Sequence, residues 1–188
     1  MRKLMFTLLA LLIGMTASAQ SADKLYEQGK ALYDAEKYKE AVPKLKAAAE
    51  KGHKKAQYRL GRCYDKGRGV EENDEKAVAW YSKAAAQGYH KAQYELGKCY
   101  KNGEGVKKDR KKAVELFTKA ARQDTEAQYA LGKSYLKGKG IAADQKKARL
   151  WLRKAVSNPK GGKDILADIK KEAAEGDEDA KTILGMVK

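Results

Sequence analysis

One six-residue phrase returns along this chain and limits what the chain can fold into. Ala56-Gln57-Tyr58-Arg59-Leu60-Gly61 reappears as Ala92-Gln93-Tyr94-Glu95-Leu96-Gly97 and as Ala127-Gln128-Tyr129-Ala130-Leu131-Gly132. A worn copy, Ala180-Lys181-Thr182-Ile183-Leu184-Gly185, stands near the end. Starts at 56, 92 and 127 give a spacing within the window of solenoid repeats. A unit this short cannot bury its apolar face alone, so neighbours must stack into a continuous core. The expected fold is all-α, a solenoid of about ten antiparallel helices, and its product is a binding surface.

Each unit divides into two helices around a glycine loop. The first helix of the first full unit is predicted from about Lys54 to Lys66, with Ala56, Leu60, Cys63 and Tyr64 as its buried stripe. Gly61, Gly97 and Gly132 remove a side chain in mid-helix, at about 1 kcal/mol each relative to alanine. That repeated cost implies the close approach of a neighbouring helix. The helix then stops at Gly67-Arg68-Gly69-Val70, Gly103-Glu104-Gly105-Val106 and Gly138-Lys139-Gly140-Ile141, where glycine supplies the left-handed terminating conformation.

Asn73, Asp109 and Asp144 are the predicted N-caps of the second helices. Those helices are expected to bury Ala77, Trp80, Tyr81, Ala84 and Ala85, then Ala113, Leu116, Phe117, Ala120 and Ala121. The last copy offers Ala148, Trp151, Leu152, Ala155 and Val156. Ahead of these, Gly29, Leu32, Ala41, Leu45 and Ala48 fall at tetratricopeptide-like spacing, with a short turn over Asp34 to Lys37 and Pro43 early in the second helix. Ser157 to Lys163 breaks the pattern, after which Asp164 and Asp177 are expected to begin two capping helices. The units are placed near 22–55, 56–91, 92–126 and 127–158, with capping helices at 164–188. Together residues 20–188 make one domain.

Residues 1–19 read as a secretory signal peptide. Arg2 and Lys3 precede an apolar stretch from Leu4 to Met15, and Ala17-Ser18-Ala19 offers a small-residue cleavage site. The stretch is too short to span a bilayer, which needs ~20 residues. The mature chain is therefore expected to be periplasmic or secreted, bacterial, without a membrane span, and monomeric. Cys63 and Cys99 stand at the same position of consecutive repeats, where Ser134 follows. Stacked helices lie roughly 8–10 Å apart, beyond the ~7 Å that a disulfide tolerates between Cα atoms. Two buried free thiols are expected.

The pattern of alanine, Leu-Gly, tyrosine and a G-x-G-[VI] loop, followed by an acidic or amide cap and a Lys-Ala pair, resembles the Sel-like repeat (SLR). That family is a relative of the tetratricopeptide repeat. Three full copies cover about Ala56 to Asn158, and variant units extend the likeness over nearly all of the mature chain. The resemblance implies a right-handed α/α superhelix that works as an adaptor for other proteins, and several bacterial members are exported. Cysteine-rich members carry a disulfide within each repeat, and this chain lacks those paired cysteines.

Placing residues at 100° steps puts Tyr58 and Arg62 opposite the buried stripe of their helix. The same arithmetic yields four rungs on the inner wall, Tyr26/Lys30, Tyr58/Arg62, Tyr94/Lys98 and Tyr129/Lys133. Tyrosine gives contact area at low entropic cost, and the cations attract negative charge. With 41 Lys and Arg against 25 Asp and Glu, the partner expected is an acidic protein or peptide, or an anionic glycan. Export argues against nucleic acid. The alternative for each tyrosine is simple packing between repeats, and for the lysines of the second helices a solvated outer face.

An enzyme acting on cell-wall material is the competing reading. Ser134-Tyr135-Leu136-Lys137 fits the S-x-x-K element of penicillin-recognising enzymes, but no K-T-G or S-D-N element accompanies it. His53 and His90, the only histidines, lie at turns between units without ligand-type neighbours. The G-x-G loops lack the third glycine and the preceding strand of a dinucleotide site. No catalytic residue, metal or cofactor is expected.

Overall fold

The computed structural model describes residues 21–188, so the expected signal peptide lies outside the described residues. Ten α-helices and no strand occur among them. They form five successive pairs: α1 (Ala22–Asp34) with α2 (Tyr38–Glu50), α3 (Lys54–Asp65) with α4 (Asp74–Ala86), and α5 (His90–Asn102) with α6 (Arg110–Ala120). After them come α7 (Thr125–Lys137) with α8 (Gln145–Val156) and α9 (Gly162–Ala174) with α10 (Glu178–Val187). Packing runs chiefly between chain neighbours until α10 reaches back onto α8 and closes that end. This is the all-α solenoid that the repeats require.

The repeat glycines act as contact points. A Cβ on Gly61 would lie 2.6 Å from the Tyr81 ring, one on Gly97 2.6 Å from Phe117, and one on Gly132 2.7 Å from Leu152. Each pair of helices therefore closes by seating one bulky residue of the second helix in the notch of the first. In the worn copy Gly185 has nothing within 4 Å, while Ala180 and Ile183 keep their buried places. The loop glycines divide two tasks that sequence reasoning merged. Gly67, Gly103 and Gly138 terminate their helices at positive φ. Gly69, Gly105 and Gly140 instead sit against the start of the preceding unit's second helix, where a Cβ would fall 2.5 Å from Tyr38, 2.3 Å from Asp74 and 2.2 Å from Arg110 backbone atoms.

Asn73, Asp109 and Asp144 cap α4, α6 and α8, accepting from the amides of Lys76, Lys112 and Lys147. Their own amides donate to the carbonyls of Tyr64, Tyr100 and Tyr135 at 2.8–3.0 Å, which closes each loop onto the first helix. The lysine ammonium then lies over the same tyrosine ring, at 5.5, 4.3 and 5.5 Å. α2 runs through Pro43 unbroken. Tyr64 and Val156, expected in the buried stripes, are only half-buried at the edges of their clusters, and the expected helix start and tryptophan burial also change. α9 starts at Gly162 after left-handed Gly161, and Asp164 lies in its first turn without capping it. A Cβ at Gly162 would strike the Val156 carbonyl at 2.5 Å, so the backbone itself fixes that start. Trp80 and Trp151 are half-buried, since Lys83 and Lys154 cover their rings from solvent at 4.1 and 4.9 Å.

Cys63 and Cys99 are buried free thiols. Burial pushes Cys63 up to about 11 and Cys99 up to about 12, which keeps both as unreactive thiols.

Candidate interaction face

The predicted rung residues lie on α1, α3, α5 and α7, the first helices of four successive pairs, with three gaps between neighbouring first helices. A buried glutamine of the repeat phrase sets the spacing. Gln57 Nε2 donates to the Ala49 carbonyl at 3.1 Å, Gln93 to Ala85 at 3.3 Å and Gln128 to Ala121 at 2.8 Å. Each bond ties a first helix to the C-terminal end of the preceding second helix, the last to the Ala121 C-cap. Gln87 and Asn158 in turn donate to the Gln57 and Gln128 side-chain oxygens. Sequence reasoning gave these glutamines no role. Their unbroken recurrence inside a buried stripe was the signal, because a buried amide persists only where its bonds are met.

The predicted rungs divide into two groups. Tyr26, Tyr58 and Arg62 line a groove of about 260 Å³ together with Lys55, Arg59, Tyr89 and Lys91. Tyr94, Tyr129 and Lys133 line a larger cleft of about 430 Å³ in the third gap, between α5 and α7 with α6 at its base. Lys30 and Lys98 line neither. Lys30 pairs with Asp34 at 3.1 Å, and Lys98 pairs with Glu95 at 2.8 Å. The ladder is therefore a row of four only in sequence. Arg62 and Lys133 enter no ion pair among the described residues.

The tyrosines differ as well. Tyr26 is 6% exposed and stacks on His53 with ring centroids 4.2 Å apart, so it packs between units and offers little free ring. Tyr58, Tyr94 and Tyr129 are half-buried. Burial pushes the Tyr58 and Tyr129 phenols up to about 12 and Tyr94 higher still. Lys98 lies over the Tyr94 ring at 5.5 Å and Lys133 over Tyr129 at 5.1 Å, a cation–π contact along each helix. For Arg62, burial favours the neutral form, but the Tyr58, Tyr33 and Tyr81 phenols and Glu95 outweigh it and raise its pKa. It remains a fixed cation.

One position within the repeat phrase sets the character of each gap, and sequence reasoning passed over it. Arg59 reaches from α3 across the first gap to Asp34 at 3.0 Å and lies 5.0 Å from the Tyr33 ring centroid. Arg68 joins it by donating to the Tyr33 hydroxyl at 2.8 Å. Glu95, the counterpart on α5, neutralises Lys98 on its own helix. Ala130, the counterpart on α7, packs against the neighbouring core and is too short to cross the third gap, which stays open around it.

Among the described residues no group of three or more His, Cys, Asp or Glu is placed to hold a metal ion, and no helix is long and apolar enough to cross a membrane. Ser134 donates to the Ala130 carbonyl at 2.8 Å along its helix, and Lys137 is ion-paired with Asp179. Neither is set up as nucleophile or base for the other. His53 caps α3, its Nδ1 accepting from the Ala56 amide at 3.1 Å, while His90 faces Asp124 at 3.4 Å.

Comparison with protein families matches the Sel1 repeat to residues 54–89, 90–124 and 125–159. Among solved structures, the Sel1 repeat protein from Oxalobacter formigenes is similar at 32% identity and TM-score 0.69, covering 85% of this chain and 74% of that one. A protective antigen present in uropathogenic Escherichia coli strains, displaying an SLR fold, is similar at 29% identity and TM-score 0.73. The match covers 92% of this chain but only 42% of the antigen. A search of curated proteins gives no match.

Proposed function

This chain belongs to the Sel1-repeat family, a scaffold fold typical of protein–protein interaction, and from that premise we propose that it is an exported, non-catalytic scaffold holding an acidic protein or peptide on its tyrosine-bearing inner face. The observation that carries the reading is the pairing of half-buried tyrosines with unneutralised cations, Tyr58 with Arg62 and Tyr129 with Lys133, in two grooves of one face. Export rests on Arg2, Lys3, the apolar stretch from Leu4 to Met15 and Ala17-Ser18-Ala19. A periplasmic or secreted location follows from it.

The test is affinity capture from the periplasm with the wild-type chain and with the Arg62→Glu/Lys133→Glu variant, after circular dichroism shows that both fold. A partner retained equally by both overturns the reading. Recovery of the intact chain, residues 1–19 included, from the cytosol overturns the export component. A second reading, binding of an anionic glycan, is favoured by the exposed run Lys107, Lys108, Arg110, Lys111 and Lys112. Its one acid, Asp109, is engaged as a helix cap. Binding of that kind weakens steeply with salt, because exposed charges are screened within about 8 Å at physiological ionic strength.

A further inference from the structure

The third gap differs from a merely basic patch in having an apolar interior. Its walls are the half-buried rings of Tyr94 and Tyr129, and its base is formed by Val114, Phe117 and Ala130. Around the mouth stand Lys101, Lys108, Arg110, Lys133 and Lys139. None of these five enters an ion pair among the described residues. Glu126 is the one carboxylate in the lining, and burial, followed by Asp124 and Asp168, raises its pKa. At about 430 Å³ the cleft falls within the range of small-ligand pockets, which bind through apolar walls and a few placed charges.

We propose that the third gap anchors one apolar side chain of an acidic protein segment, inserted between Tyr94 and Tyr129 while its flanking carboxylates meet the lysine rim. This deepens the scaffold reading and rests on it. Charge complementarity selects the occupant. A purely apolar partner would leave five cations facing one another, whereas a carboxylate on either side of the inserted group neutralises them. Lys101 reports that crowding, since burial and then Lys98 and Lys133 hold its pKa below the usual lysine range. Leucine or a residue of similar bulk suits the interior, because aliphatic burial supplies affinity that rim charges in water do not.

The repeat itself supplies the decisive variant. Ala130→Arg places in the third gap the side chain that Arg59 uses to bridge the first. The experiment follows amide shifts of the labelled chain lacking only residues 1–19, titrated with the blocked peptides Asp-Glu-Leu-Glu-Asp and Asp-Glu-Ala-Glu-Asp. The leucine peptide should shift Val114, Ala130 and Lys133 and bind about tenfold more tightly than the alanine peptide, a methylene-by-methylene burial effect. Ala130→Arg should erase that difference, and Lys133→Glu, a substitution at the rim that spares the core, should weaken both peptides.

Equal binding of the two peptides, or shifts centred on Tyr58 and Arg62, overturns the anchor and leaves the scaffold reading standing. A chain that still holds a captured periplasmic protein while ignoring both peptides also refutes the anchor alone. Dimerisation by sedimentation that Ala130→Arg abolishes would assign the cleft to a second copy of the chain, and overturn the proposal.

Discussion

In the first gap Arg59 crosses from α3 to α1 and meets Asp34 and the Tyr33 ring. In the third, Ala130 occupies the same place on α7 and leaves a cleft of about 430 Å³. Both gaps are framed alike, by a notch glycine, a glutamine bonded to the preceding unit and a loop glycine against the neighbouring helix start. The contrast separates two sets of residues within one repeat. The frame recurs because each element of it touches backbone or a buried side chain of the second helix. The position of Arg59, Glu95 and Ala130 lies outside that frame: Arg59 bridges its gap to Asp34, Glu95 pairs with Lys98 on its own helix, and Ala130 leaves its gap open.

Breaking the frame should have the largest effect. Gly140→Ala, with its Cβ 2.2 Å from the Arg110 carbonyl and φ at 83°, should cost about 3 kcal/mol or more in denaturant unfolding, because backbone cannot yield as a side chain can. Gly69→Ala should do comparable harm at the first gap. Gly52→Ala, also at positive φ but with nothing within 4 Å, should cost only about 1 kcal/mol. Equal losses for Gly140→Ala and Gly52→Ala would mean that conformation alone, and not contact between units, explains the loop glycines.

Exchanging the residues at positions 59 and 130 comes next. Ala130→Arg should weaken the leucine peptide by about tenfold with stability within about 0.5 kcal/mol of wild type. The converse variant, Arg59→Ala, removes a partly exposed ion pair and should cost about 1 kcal/mol or less. It should also let the first gap accept small apolar groups that wild type excludes, seen as new shifts at Tyr33 with the leucine peptide. If both exchanges leave binding untouched, the position of Arg59 and Ala130 is not what distinguishes the gaps.

The smallest effect is a pH dependence confined to the first junction. His53 caps α3 and stacks on Tyr26, and burial lowers its pKa below the ordinary histidine value of 6.5 despite the opposing pull of Asp23. A neutral imidazole is also what the cap needs, since Nδ1 must accept. Below 6.5 the unfolded chain takes up a proton that the folded chain resists. The contribution to stability is therefore full above pH 6.5, declines as pH falls toward the folded-state pKa, and is level below it. His53→Asn keeps a capping oxygen and should remove that component of the slope, with the difference read from melting temperatures between pH 7 and pH 5. An unchanged slope would locate the titration elsewhere.

Much of this architecture could be read from the chain before any coordinates, because its determinants are local and repeated. Notch glycines, loop glycines and Asn or Asp caps each recur at a fixed offset, and each maps onto one backbone requirement. The start of α9 could not be read the same way. It depends on Gly162 meeting the Val156 carbonyl, a contact that the sequence does not announce, and Asp164 was a better cap on composition alone. The ladder illustrates the same boundary. Periodicity put Tyr26, Tyr58, Tyr94 and Tyr129 on one face, yet it could not show that His53 would cover Tyr26 or that Asp34 and Glu95 would consume Lys30 and Lys98. His53 comes from another element, whereas the Lys30–Asp34 and Glu95–Lys98 pairs stand at i,i+4 and i,i+3 on one helix and needed charge pairing, not periodicity, to be read. The glutamines were visible throughout, but their role requires knowing which carbonyl faces them.

The position shared by Arg59, Glu95 and Ala130 also bears on how such a molecule can change over generations. Duplicating a unit copies every feature that lets it stack, together with one residue whose identity the stacking does not constrain. A lineage can therefore retune what it recognises by single substitutions at sites such as 59, 95 and 130, while inheritance of the remaining phrase keeps each new copy foldable from birth.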